Sequence, residues 1–384
     1  MIKKLSYIIA LIVLLPSIGY AVTAVDFYGN TDCANNGDGT SSSCAGSPGG
    51  AGAANSLSNA ISRAKTAYSN MVTSDVAITI HMKGAAADTS CPNPDWGATA
   101  TSTTQYLTIT VDSGDRGTIG IWDTGKYRLD GTCLWGQILV SMVHTKISWL
   151  QIGQGSTSAS DEHDGILLDA PSGGTSPFLY IENCLIRFTG NTANSSIGIM
   201  DFLSGATGMK KVVRNNIIYG FKQGTKLATA ASDNVYVYNN TFYSNVGTST
   251  IFSAQLCGSG ATYTAKNNIV NGSGTAYETN CSNATYTHSN NISHDATSPD
   301  TSYRSLSVTF NNAGSNDYHL GASDTAAAEA GADLSAATEG FSTDIDGDSR
   351  PQSTNWDIGA DERVGGGGGG GGAVVSTLMV DGEF

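Results

Sequence analysis

The densest set of ionisable side chains in this sparsely charged chain lies between residues 161 and 214. Asp161, Glu162, His163 and Asp164 lead into a short apolar run, Gly165–Asp169. A second run, Ile197–Asp201, also ends on aspartate, and Lys210, Lys211 and Arg214 follow it. Two carboxylates within hydrogen-bonding reach can share a proton, serve as the acid/base pair of a glycoside hydrolase, or hold Ca²⁺ through oxygen ligands. Elimination from a uronic acid asks instead for a base, a cation to neutralise the carboxylate and a proton donor. Asp169, Asp201, Lys211 and Arg214 are therefore the candidate catalytic residues. The competing reading is that acidic residues at strand ends are solvated turn residues. A second acidic motif, Asp344-x-Asp346-Gly-Asp348, looks like a fragment of a calcium loop but lacks the glycine placement and distant glutamate of an EF-hand. Ca²⁺ at Asp344, Asp346 and Asp348 is the one cofactor option. Nothing in the chain reads as a serine-hydrolase elbow, a phosphate loop or a dinucleotide fingerprint.

The elements that must position these residues emerge from an internal repeat. Tyr180–Arg187, Val212–Tyr219, Tyr236–Tyr243, Thr264–Asn271 and Thr287–His294 align on a central pair, Asn-Asn in four copies and Asn183-Cys184 in the first. Thr145–Ile152 is a more degenerate copy, and the spacing is roughly 23 to 34 residues, in the range of solenoids. Each copy alternates apolar and polar residues on both sides of the pair, which is strand periodicity with a turn at the asparagine. A further short strand precedes each copy, at 165–169, 197–201, 226–229, 250–253 and 275–278. Such a unit cannot bury its own apolar face, whereas stacked units can.

Stacking turns each outward position into a row. One row reads Glu182, Arg214, Tyr238, Lys266, Ser289; another reads Arg187, Tyr219, Tyr243, Asn271, His294. Aromatic faces with interspersed cations suit a long repeating polymer such as an acidic polysaccharide. Arg187, Tyr219, Tyr238, Tyr243 and Lys266 are the candidate binding residues. The plainer reading is ordinary half-wet strand surface, with Glu182 and Arg214 a cross-strand pair.

Both ends carry information about the compartment. Met1-Ile2-Lys3-Lys4, an apolar run from Tyr7 to Leu15, Pro16, and small residues at Gly19, Ala21 and Ala24 have the layout of a secretory signal peptide, assigned to residues 1–24. The apolar run is short for a membrane span. Removing it takes Lys3 and Lys4 away and shifts the net charge from −14 to −16. An acidic chain argues against nucleic acid as the partner. Eight glycines, Gly365–Gly372, form a flexible linker to an apolar stretch, 373–380, that is too short to span a bilayer.

Export permits disulfides. Cys257 and Cys281 each close a short strand one repeat apart, where adjacent Cα atoms sit about 5 Å apart, so they are expected to pair. Cys33–Cys44 would close a Gly/Ser/Asn-rich loop, and Cys91–Cys133 would tie two early loops. Cys184 is left over, and no spacing suits zinc.

The repeated Asn-Asn-Ile turns resemble the coils of right-handed parallel β-helix proteins of the pectate-lyase-like superfamily. Ser56–Ile61 with Val76–Ile80 and Lys83-Gly84 resembles their capping helix and first coil. Tyr318–Leu320, Asp344–Arg350 and Trp356–Glu362 resemble the C-terminal closure of secreted bacterial members. The resemblance implies an all-β, right-handed parallel β-helix with three strands per coil and a short N-terminal capping helix. It also implies an inward ladder at Asn216, Asn240, Asn268 and Asn291, with a buried Cys184 thiol in the same position. In β-helix lyases Ca²⁺ or a protein cation neutralises the substrate; here the 344–348 motif would have a structural, closing role. The expected organisation is an N-terminal loop and cap at 25–75, the β-helix at 76–320, a closing segment at 321–364 and the linker and tail at 365–384. The expected function is a secreted, monomeric protein that binds extracellular polysaccharide, with cleavage by lyase or hydrolase chemistry as the further option. The alternative is a non-catalytic cell-surface or matrix adhesin.

Overall fold

The computed structural model describes residues 21–363, apart from 98, 118–119, 159–162, 170–173, 191–194, 202–206, 228, 245–251, 255–257 and 280–282. Among the described residues the chain is all-β with two α-helices, and its strands form long stacked parallel sheets of nine, eight and six strands plus one antiparallel pair. From Trp135 onward the chain passes through the three large sheets in turn, and each strand pairs with its counterpart one repeat away. No helix among the described residues is long and apolar enough to cross a membrane.

The repeat accounts for the register. Each aligned copy splits at its central pair into two strands, as in Phe178–Glu182 with Leu185–Phe188 and Asn234–Tyr238 with Thr241–Ser244. The split falls where the first residue of the pair turns left-handed. Asn183, Asn215, Asn239, Asn267 and Asn290 have φ between 49° and 55°, and Trp149 holds the same corner in the degenerate copy at 64°. Asparagine tolerates this region better than other residues with a Cβ. The second residue turns inward and builds the expected ladder. Nδ2 of Asn216 donates to Asn240 Oδ1 at 3.0 Å, Asn240 to Asn268 at 3.1 Å and Asn268 to Asn291 at 2.9 Å. Cys184 begins the ladder through its backbone N–H, which donates to Asn216 Oδ1 at 2.9 Å. Its thiol is free and buried, and burial pushes it up to about 12.

The cap forms where Ser56 Oγ accepts from Asn59 N at 3.2 Å, starting the helix Leu57–Ala67, which buries Leu57, Ala60, Ile61 and Ala64. The sequence reading missed a strand here. Thr23–Asn30 pairs in parallel with Val76–Lys83 as the first strand of the nine-stranded sheet, and its first two residues lie within the stretch assigned to the leader. Three expected upstream strands are displaced. They run Gln223–Lys226, Phe252–Ala254 and Tyr277–Thr279.

Two disulfides form as expected, Cys33–Cys44 and Cys91–Cys133, with Cα atoms 5.2 and 5.7 Å apart. Cys257 and Cys281 lie outside the described residues.

The closing segment does more than end the solenoid. It runs back over the outside of the asparagine corners, and the left-handed asparagines hold it there. Asn215 Nδ2 donates to Thr343 O at 2.7 Å, Asn239 to Gly359 O at 3.0 Å, Asn267 to Ala332 O at 2.8 Å and Asn290 to Ala330 O at 2.9 Å. Within the segment Arg350 is buried, paired with Glu362 at 2.8 Å and donating to Gly359 O and Ala360 O.

Candidate functional site

The catalytic candidates divide by face. Asp201 pairs in register with Leu168, one position short of Asp169. A shift of one residue reverses the face of a strand, so Asp201 is buried while Asp169 is exposed. Lys211 also points inward, in a row that includes Thr145, Leu179, Val235, Tyr263 and Tyr286. Its ammonium donates to Asp201 and to Asp233, which is 3.1 Å away. Lys211 and Asp201 thus meet, but away from solvent. Arg214 faces outward and clamps Glu182 through Nε at 2.7 Å, which is the cross-strand pair of the plainer reading. Asp161 and Glu162 lie outside the described residues.

The outward rows are in register as read: Glu182, Arg214, Tyr238, Lys266 and Ser289 in one, Arg187, Tyr219, Tyr243 and Asn271 in the other. The closing segment and the strands before it cover much of both. Tyr238 is buried in one cluster with Leu334 and Trp356. Tyr219 and Tyr243 pack on Tyr318 with ring centroids 5.1 and 4.6 Å away. Arg187 stacks 3.4 Å over the Trp122 ring and pairs with Asp130 at 3.0 Å. Lys266 stays half-buried in its row. An outward position on a strand says nothing about what a distant segment lays over it.

The calcium motif is a turn that caps itself. Asp344 Oδ1 accepts from Asp346 N and Asp348 N, and Oδ2 accepts from Glu362 N, so both carboxylate oxygens serve backbone donors. Asp346 reaches His319 instead, at 2.9 Å, and Asp317 holds the other ring nitrogen at 2.6 Å. His319, Asp346 and Asp361 bring ligand atoms within 4.8 Å of one another. Burial by itself would lower the proton affinity of His319, but Asp346, Asp361 and Asp317 raise its pKa to about 10. These residues form an internal cluster in which the imidazole meets a carboxylate at each ring nitrogen.

An open face remains on the nine-stranded sheet, two positions before the first row. Here Tyr106, Lys146, Phe178, Tyr180, Lys210 and Asn234, with Thr103, line a groove of about 540 Å³. Consecutive strands supply them, so the groove crosses the strands along the stacking direction. Lys146 Nζ lies 4.7 Å from the Tyr106 ring centroid, 5.3 Å from Tyr180 and 5.9 Å from Phe178. Phe178 meets Tyr106 and Tyr180 edge-on at 5.6 and 5.5 Å. Beneath it His144 is fully buried, with Nε2 3.1 Å from Thr175 O. Its proton affinity is lowered by burial, so it backs the wall without adding charge. Glu339 of the closing segment forms one rim, accepting from the Tyr180 hydroxyl at 2.5 Å and pairing with Lys210 at 2.7 Å. Among the described residues Lys146 enters no ion pair, so its charge faces the groove balanced only by ring faces. The signal for this site was present in the aligned copies, where Lys146 and Tyr180 share one column; the more charged column two residues on drew attention away from it.

No protein family, curated protein or solved structure matches this chain.

Proposed function

We propose that this protein binds an acidic extracellular polysaccharide in the groove of Tyr106, Lys146, Phe178, Tyr180 and Lys210, and that it does not cleave it. The observation that carries this reading is Lys146, an ammonium without a carboxylate partner among the described residues, set among three aromatic rings on an open face. Sugar rings stack on aromatic faces, and a carboxylate on the sugar would pair with Lys146. Side chains repeated once per strand, about 4.8 Å apart, suit a chain that presents a similar group at regular intervals. The non-catalytic half is supported by where three of the four catalytic candidates sit: Asp201 and Lys211 are buried and Arg214 is committed to Glu182, while Asp169 alone is exposed.

The finer reading of the fold is a right-handed parallel β-helix with three strands per coil, of the pectate-lyase-like kind. It is supported by the regular passage through three sheets, the asparagine ladder and the capping helix. Export of the chain is supported by the leader-like N-terminus and two disulfides. The adhesin reading becomes the same proposal seen from the cell: a secreted protein that holds matrix glycan.

The test is a panel of uronate and neutral polysaccharides, each with and without chelator, read for retention on the immobilised polymer, for unsaturated-product absorbance and for reducing ends. Retention on uronate polymers with no product, insensitive to chelator, is the expected result. Product formation on any polymer would overturn the non-catalytic half of the proposal, and retention on none would overturn the other half.

A further inference from the structure

The core of this solenoid contains three ionisable side chains in contact. Asp201 ends the strand Ile197–Asp201 of the six-stranded sheet, Lys211 lies on Lys210–Arg214 of the nine-stranded sheet, and Asp233 sits in the turn before Asn234–Tyr238. Their side chains are 3%, 1% and 0% exposed. Lys211 Nζ donates to Oδ2 of both carboxylates. Fully ionised, the three would bury a net negative charge, which is costly without compensation. Backbone donors distinguish the two carboxylates: Asp233 accepts from Met209 N and Ala230 N, both at 2.8 Å. Burial raises the proton affinity of Asp201. The arrangement is therefore a carboxylic acid and an amine held together, with a second carboxylate beside the nitrogen.

We infer that Lys211 and Asp201 condense into an intramolecular isopeptide bond, with Asp233 handling the proton. Asp233 takes a proton from the Lys211 ammonium, which frees the lone pair on Nζ. Nζ attacks Cγ of the protonated Asp201, and the C–N bond forms. The Cγ–O bond to the hydroxyl breaks, and that oxygen leaves as water with the second proton lost from nitrogen. A carboxylic acid, an ammonium and a carboxylate become an amide, a water and a protonated Asp233, with no oxidant or cofactor. In bulk water the reverse reaction wins because the freed acid and amine ionise; a dry core penalises that ionisation. Contact between the two groups supplies the effective concentration. The product would tie two sheets together across the core.

The experiment is peptide mass mapping of the purified full chain after reduction and alkylation. The expected result is a branched peptide joining Lys211 to Asp201, lighter than its two parts by one water, with no tryptic cleavage after Lys211. In Asp233→Asn, shown by circular dichroism to be folded, the two peptides should separate at full mass. Wild-type peptides carrying an unmodified Lys211 and Asp201 would overturn the inference. A cross-link that persists in Asp233→Asn would overturn the role of Asp233. If that variant does not fold, the wild-type map alone decides.

Discussion

Asn239 and Asn240 are adjacent and chemically identical, yet they do different work. Asn239 is left-handed and turns outward to the closing segment; Asn240 turns inward and joins the ladder. Asn240 Nδ2 also donates to Val213 O and Tyr238 O, while its Oδ1 accepts from the Asn216 side chain and backbone. Asn240→Leu would strand several of these buried groups, at about 1–3 kcal/mol for each left unsatisfied. We expect chemical denaturation to show a loss of at least about 2 kcal/mol, against well under half of that for an exposed control such as Ser259→Ala. Cys184, fully buried with its thiol pushed up to about 12, should resist alkylation near neutral pH in the native protein and react once it is unfolded. The ladder was legible because a repeat aligns its own second asparagines. The outward work of the first asparagines was not, since their partners in the closing segment lie 40 or more residues away in a stretch without periodicity.

The closing segment is the element that changes the most about the outer surface. Arg350 holds it together internally through Glu362 and two carbonyls, with Trp356 5.6 Å from the guanidinium. Arg350→Met would leave Glu362 buried without its partner, a loss of about 3–5 kcal/mol. Hydrogen exchange should then accelerate across residues 321–363 while the central strands keep their protection; uniform loss across all strands would contradict a separable closing element. The same element sets a pH dependence. Burial raises Asp344 from 3.8 to about 6 and Asp361 from 3.8 to about 7, and the surrounding carboxylates raise His319 from 6.5 to about 10. Each group holds its proton more tightly folded than unfolded, so each contribution is complete at low pH and fades as pH rises through the folded value. Asp317, whose pKa is lowered beneath its hydrogen bonds, acts oppositely and loses its contribution only below about 4. Thermal unfolding followed from pH 4 to 10 should therefore show a falling midpoint. A midpoint that rises across this window would contradict the ion cluster around His319. The closing role of the 344–348 motif was legible from resemblance, but its path over the outward rows was not, because nothing local in Tyr219 or Tyr238 records a segment packed from above.

At the scale of the whole molecule, one sheet face is covered by the chain's own end and another is left open beside it. Alternation and repeat length made the solenoid legible before any coordinate, and the register of both outward rows followed from it. Which row meets solvent did not, since that depends on the closing segment, whose Glu339 reaches Tyr180 and Lys210 and so ends the groove. The account's central claim is that Lys146 and its rings meet the ligand, and that the row containing Lys266 does not. Calorimetric titration of wild type, Lys146→Met and Lys266→Met with one uronate oligosaccharide tests it most directly. A cation desolvated against rings and a carboxylate is worth roughly 1.4 kcal/mol or more, which corresponds to tenfold in affinity. The account predicts saturable binding by wild type, at least about tenfold weaker binding by Lys146→Met, and an unchanged dissociation constant for Lys266→Met. Equal affinity for wild type and Lys146→Met, or a matching loss in Lys266→Met, would contradict it.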